Sequence, residues 1–133
     1  MCQVTAIEEI KERLKKYPEL KYNVSGSTIT IDAPSPDGFS VSLIEGTSEW
    51  IVHFDGWHEH FDSKDEALNC FAFGLSDECR LEITLRGKFS YRWIVQSKTD
   101  NGWESDSTTG LIFFPFWRRK RVEYRRNNVL KGT

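Results

Sequence analysis

His53, His58 and His60 are the three histidines of the chain, and all fall in one short stretch, Trp50-Ile51-Val52-His53-Phe54-Asp55-Gly56-Trp57-His58-Glu59-His60-Phe61. Asp-Gly is the dipeptide of a two-residue hairpin turn, which needs positive φ at both positions. A turn there sets Phe54 against Trp57 and His53 against His58. One face of the hairpin then carries Val52, Phe54, Trp57 and Phe61, and the other carries Ile51 and the three histidines. Cross-strand neighbours lie roughly 5 Å apart, within reach of a single ion. Zinc accepts three neutral imidazoles and leaves a fourth position for water, so His53, His58 and His60 are candidate ligands of a small metal-dependent enzyme. The plainer reading is the solvated outer face of a sheet, because Glu59 points the other way and no carboxylate clearly joins the histidines. On either reading the clustered imidazoles titrate near neutral pH.

A second constellation lies near the C-terminus. Arg118, Arg119, Lys120, Arg121, Arg125 and Arg126 directly follow Phe113, Phe114, Phe116 and Trp117. Residues 118–133 carry a net charge of +6 and residues 1–117 one of −8, within a total of −2. The chain is thus an acidic body with a basic end. Rings that stack on bases, beside cations that meet phosphates, are the ingredients of single-stranded nucleic-acid binding. The same ingredients suit an anionic membrane surface or an acidic protein partner. Trp117, Arg118, Arg119, Lys120, Arg121, Arg125 and Arg126 are the candidate contact residues. Against this stands a strand over 116–124, which would alternate Phe116, Arg118, Lys120 and Val122 with Trp117, Arg119, Arg121 and Glu123. Neither face of it would be wholly cationic, and an edge strand rich in Arg and Lys also guards against aggregation.

Other chemistry finds less support. The carboxylate pairs Glu104/Asp106 and Asp77/Glu78 read as solvated turns and strand faces rather than acid–base dyads. Gly74-Leu75-Ser76-Asp77-Glu78 lacks the second glycine of a nucleophile elbow. Cys70 lies beside the apolar stripe of a helix and reads as packed and inert; Cys2 has no accompanying feature of an N-terminal nucleophile. No phosphate-cradling glycine loop, dinucleotide fingerprint or calcium loop occurs. Trp57 and Trp93 fall on core faces, leaving Trp50, Trp103 and Trp117 open for stacking on a sugar.

The elements that must position these residues are legible from periodicity. Thr5 with Glu8 has capping-box spacing, and Ile7, Ile10, Leu14 and Tyr17 share a helical face ahead of Pro18, predicting a helix over about 5–16. Glu9–Arg13 and Glu12–Lys16 stand at ion-pair spacing along it. Ser25-Gly26-Ser27 reads as a turn before the alternating Thr28–Ile31, and residues 32–38 as a polar loop. Phe39–Leu43 and Trp50–Phe54 alternate as strands. Ser63 and Glu66 repeat the capping box ahead of a helix over about 64–73, with Gly74 as its C′ residue. Arg80–Arg86 and Phe89–Val95 then alternate, and a three-residue turn (Arg86-Gly87-Lys88) keeps their faces consistent by setting Leu85 against Phe89, Ile83 against Tyr91 and Glu82 against Arg92. Asp100-Asn101-Gly102 turns into a strand over Trp103–Ser107. A final strand over Leu111–Phe114 resumes after Pro115.

Short hairpin loops exclude parallel crossovers, so the predicted class is α+β: a curved antiparallel sheet with two helices on one face. Its 133 residues, 14% aromatic and 29% charged, fit one soluble domain with an aromatic-rich core. Three cysteines without a C-x-x-C pair fit reduced thiols and a cytoplasmic setting. The first residues carry neither the basic nor the apolar stretch of a leader. The longest apolar run, Leu111–Trp117, is far short of the roughly 20 residues that span a bilayer. The expectation is a non-enzymatic binding protein that meets an acidic protein surface or nucleic acid through segment 118–133, without a cofactor. The alternatives are a zinc enzyme built on the histidine hairpin and a single-stranded nucleic-acid module.

Overall fold

Pro18 sets the end of the first helix. Its ring would meet the carbonyl of the residue four before it, Leu14, and α1 (Ala6–Leu14) stops there rather than at residue 16. Lys16 and Tyr17 instead donate to carbonyls three residues back, tightening the last turn. Thr5 caps the other end, its Oγ1 accepting the Glu8 N–H at 3.1 Å. Ala6, Ile7, Ile10 and Leu14 are buried and Tyr17 packs beside them. The ion pairs differ from those the spacing suggests: Glu12 pairs with Lys15, and Glu9 reaches Lys64 on the second helix. The computed structural model describes residues 5–113 and 115–129.

Five antiparallel strands follow in sequence order: β1 (Tyr22–Ser25), β2 (Thr28–Ile31), β3 (Val41–Glu45), β4 (Trp50–Phe54) and β5 (Trp57–Phe61). β1 was not legible in the sequence because it is only four residues long, and all four are exposed, so the short Tyr22/Val24 alternation marks no core face. Ile29, Ile31, Val41, Leu43, Val52, Phe54 and Trp57 are buried on the inner face. The β4–β5 register matches the predicted hairpin, with His53 opposite His58 and Phe54 opposite Trp57. The turn differs in detail. Asp55 takes the left-handed conformation (φ 55°) but Gly56 does not. A Cβ on Gly56 would lie 2.3 Å from the Trp93 ring, so glycine is there for close approach.

α2 (Lys64–Leu75) is capped by Ser63, which accepts the Glu66 N–H. It runs past the predicted end, so Gly74 sits inside the helix and not after it. A Cβ there would come within 2.4 Å of the buried Phe54 ring, and that packing explains the glycine.

The remaining strands, β6 (Cys79–Arg86), β7 (Phe89–Thr99), β8 (Gly102–Gly110) and β9 (Lys120–Arg125), form a separate antiparallel sheet in the order β8-β7-β6-β9. The strands are thus split between two sheets, because α2 stands in the chain between β5 and β6. The β6–β7 turn has two residues, Gly87 and Lys88, not three: Arg86 faces Phe89 and Leu85 faces Ser90. Gly87 has φ 64°, as a turn with its left-handed residue first requires. The mixing of faces that this turn would cause is removed by a bulge. The register shifts between Leu85, which faces Ser90, and Thr84, which faces Arg92, so Tyr91 is the extra residue of β7; Ile83 then faces Trp93 and Leu81 faces Val95. Glu82 therefore lies opposite Ile94, not Arg92, and accepts the Tyr124 hydroxyl at 3.1 Å. Residues 111–113 and 115–119 are not strand, contrary to the predicted final strand; Phe114 lies outside the described residues.

One hydrophobic cluster runs through α1, α2 and both sheets. Trp57 donates its ring N–H to Ser107 Oγ (3.1 Å), and Trp93 donates to Asp55 Oδ2 (2.9 Å). Thr109 Oγ1 accepts the His58 N–H and donates to its carbonyl, covering the edge of β5. Past β9 the chain stitches distant parts together. Asn127, buried, accepts the Phe39 N–H at 2.8 Å and donates to the Gly74 carbonyl at 2.9 Å. No helix among the described residues is long and apolar enough to cross a membrane.

Two substitutions test these joints by urea denaturation. Asn127→Ala strands the Phe39 N–H and the Gly74 carbonyl and is expected to cost about 2–4 kcal/mol. Gly74→Ala forces a methyl group into the Phe54 ring and should cost about 1–3 kcal/mol, although alanine is the better helix former. A stabilised Gly74→Ala variant would contradict the packing described.

Candidate binding surface at the β8–β9 connection

β8 and β9 are the two outer strands of their sheet, so the chain between them must cross its full width. It does so at the end where the β6–β7 hairpin turns. The Leu111 N–H donates to the Tyr91 carbonyl (2.7 Å), and the Gly87 N–H donates to the Arg119 carbonyl (2.9 Å). Arg86 reaches the Arg118 carbonyl from the same hairpin. Between these ties Pro115 accepts the Arg118 N–H in a turn.

Most of the described side chains of this connection face water. Ile112 is 87% exposed, Phe113 88%, Phe116 72% and Trp117 71%. Phe116 and Trp117 meet edge to face, with ring centroids 5.3 Å apart. Phe89 on the hairpin and Val122 on β9 add exposed apolar surface. Arg118, Arg119, Lys120, Arg121 and Lys88 are exposed around it. Arg121 lies 3.5 Å from Glu123, and both side chains are wet.

The six predicted cations do not act together. Arg118, Arg119, Lys120 and Arg121 stay with Trp117 at the connection. Arg125 and Arg126 are turned into the body. Arg125 pairs with Glu123 (3.2 Å) and donates to the Pro36 carbonyl. Arg126 donates to the Asp77 carbonyl (2.6 Å), and its guanidinium lies 5.0 Å from the Trp103 ring centroid. Arg80 lies between Trp103 (4.7 Å) and Tyr124 (4.2 Å) on the outer face of the sheet. Leu111, Ile112, Phe89 and Lys88 were not among the predicted contacts. The signal that could have found Leu111 and Ile112 is the unbroken apolar run on both sides of Pro115, which has no polar alternation and so no buried strand face to match; nothing local marks Lys88 and Phe89, which only the hairpin turn brings alongside.

The histidines cluster as predicted on the outer face of the five-stranded sheet. His53 and His58 stack with centroids 5.4 Å apart, and His58 and His60 meet edge-on at 5.8 Å. The carboxylate that joins them is Glu49, hydrogen bonded to His60 Nδ1, which comes from the turn before β4. Among the described residues no three His, Cys, Asp or Glu side chains are placed to hold a metal ion. Partial burial, and then the charges of His58 and His60, hold His53 below the ordinary imidazole value of 6.5.

The thiols are unsuited to nucleophilic attack. Burial pushes Cys70 up to about 12 and Cys79 higher still; Cys2 lies outside the described residues. Glu78, Glu104 and Asp106 are exposed, and Asp77 stands in the turn after α2. A hollow of about 310 Å³ is lined by Ser40, Asp55, Ser90, Glu123 and Arg125, whose charged groups are held by Trp93 and by one another. Another, of about 200 Å³, is an apolar groove between α1 and α2. The chain matches no protein-family model, no curated protein and no solved structure.

His53 gives a pH test. Its folded form favours the neutral imidazole, so its contribution to stability is complete above pH 6.5 and is lost as pH falls through the lowered folded value. An NMR titration should place His53 below 6.5, and His58→Gln with His60→Gln should raise it without restoring 6.5. The urea midpoint should fall less between pH 7 and pH 5 in His53→Gln than in the parent chain. Equal falls would contradict the assignment.

Proposed function

We propose that this chain is a non-catalytic binding protein, cytoplasmic in setting, that docks on an anionic partner through the β8–β9 connection. One observation carries the reading: Ile112, Phe113, Phe116 and Trp117 project into water directly beside Arg118, Arg119, Lys120 and Arg121. Solvating apolar side chains in this concentration marks an interaction site. Burying Ile112, Phe113 and Phe116 on a partner would return about 1.5–3 kcal/mol each, enough to set against the cost of association. The cations choose the partner's sign. No acidic residue occurs from Gly110 to Val122, whereas residues 1–117 are strongly acidic, so an anionic partner is attracted to this end and repelled elsewhere. The high thiol values and the engaged charges around Asp55 support a binding role over a catalytic one. The free thiols Cys70 and Cys79 fit a reducing compartment.

Retention on a heparin resin tests the reading, because a chain of net charge −2 binds a polyanion only through a local basic surface. The parent chain should be held at low salt and released as salt screens the contact. Replacing Arg118, Arg119, Lys120 and Arg121 by glutamine should abolish retention. Gln at Arg125 should not, since that side chain is spent on Glu123 and Pro36. A parent chain that flows through at low salt sinks the proposal.

A further inference from the structure

We infer that the anionic partner is a lipid bilayer, and that the β8–β9 connection is a membrane-inserting loop; this rests on the docking surface proposed above and names what it meets. The first argument is the chemistry of the exposed set. Ile112 is as exposed as Phe113, and an aliphatic side chain offers a base no π-face to stack on, while it enters the acyl boundary of a bilayer as readily as a phenyl ring. Trp117, amphipathic, is suited to headgroup depth.

The second argument is geometric. Phe116 and Trp117 stand at 85° to each other, so they do not form the pair of parallel platforms on which successive bases stack. The rings that lie on the sheet face, Trp103 and Tyr124, are already covered by Arg80 and Arg126. Nucleic acid therefore finds phosphate partners here but, among the described rings of this pair, no parallel platforms for successive bases. A folded protein partner would be expected to meet a pocket or a flat, part-buried patch. This loop lines neither of the hollows described above, and its Ile112 and Phe113 are almost fully exposed. A bilayer, which closes around whatever enters it, needs no matching pocket.

The third argument is the arrangement of charge. The apolar side chains occupy the middle of the connection. The cations occupy its exit, Arg118 to Arg121, and the neighbouring hairpin, Lys88. Long Lys and Arg stems can keep their charges among anionic headgroups while the apolar tips lie about 5–10 Å deeper. The ties from Leu111 to Tyr91 and from Arg119 to Gly87 fix both ends of the connection to the sheet, so insertion requires no unfolding. The acidic remainder of the chain is repelled by the same surface, which holds the molecule standing on its loop.

Co-sedimentation of the full chain with vesicles tests this. With about one part phosphatidylserine to two parts phosphatidylcholine the chain should pellet, with phosphatidylcholine alone it should not, and added salt should weaken binding. Ile112→Ser with Phe113→Ser should reduce vesicle binding about tenfold or more, with unchanged thermal stability and undiminished retention on heparin. That separation is the signature of insertion as distinct from charge attraction. A parent chain held by heparin but left in the supernatant by anionic vesicles overturns the lipid assignment and leaves the docking surface standing. Tighter binding to single-stranded RNA than to the vesicles, insensitive to the serine substitutions, overturns it in favour of nucleic acid. Failure on heparin and on vesicles together removes both readings.

Discussion

The contact on which this architecture turns is the seating of Trp93 on the backbone of Gly56. A ring in the second sheet lies against a glycine in the tight turn of the first, and its N–H is spent on the Asp55 carboxylate beside that glycine. Two residues along, Trp57 stacks on Phe54 with centroids 4.7 Å apart, and Phe54 fills the space that Gly74 leaves in α2. Helix and both sheets therefore meet at one aromatic seam, where Trp93 and Phe54 are each admitted by the absence of a side chain opposite. The buried polar atoms of the seam have partners, as a dry joint requires.

The seam constrains strand register. Trp93 reaches Gly56 only if it shares a face with Ile83 and Val95, yet the tight Gly87-Lys88 turn leaves Leu85 opposite Ser90. The register shift reconciles the two by inserting one residue, Tyr91, on the β7 side. The end of the hairpin is thereby fixed, and Tyr91 offers its carbonyl to Leu111 where β8 gives way to the connection. The placement of the exposed loop is thus a distant consequence of how one tryptophan packs.

Charge is divided by the same constraints. Beyond β9 the chain must return to the core so that Asn127 can satisfy Phe39 and Gly74. That return draws Arg125 and Arg126 inward onto the carbonyls of Pro36 and Asp77. Arg118 to Arg121 precede the return and stay outside. A run that looks uniform as a sequence is two functional groups, one holding the fold and one facing solvent.

Sequence by itself determined what depends on neighbours along the chain. The capped helices, the His53–His58 register, the α+β class with antiparallel sheets and the shared face of the histidines follow from spacings of two, three or four residues and from local turn chemistry. Tertiary structure decided whatever depends on what lies opposite. Gly56 and Gly74 look like conformational glycines until Trp93 and Phe54 are placed against them. The bulge at Tyr91 answers to a core that the two strands cannot see. Glu49, which meets His60, stands at strand spacing ahead of Ile51 and His53, but it lies in the turn before β4, where that spacing alone does not carry a face forward. Leu111 to Phe113 read as buried strand because apolar runs ordinarily find a partner surface. In this chain the sheet ends at Leu111, and only the folded molecule reveals that Ile112 and Phe113 face water.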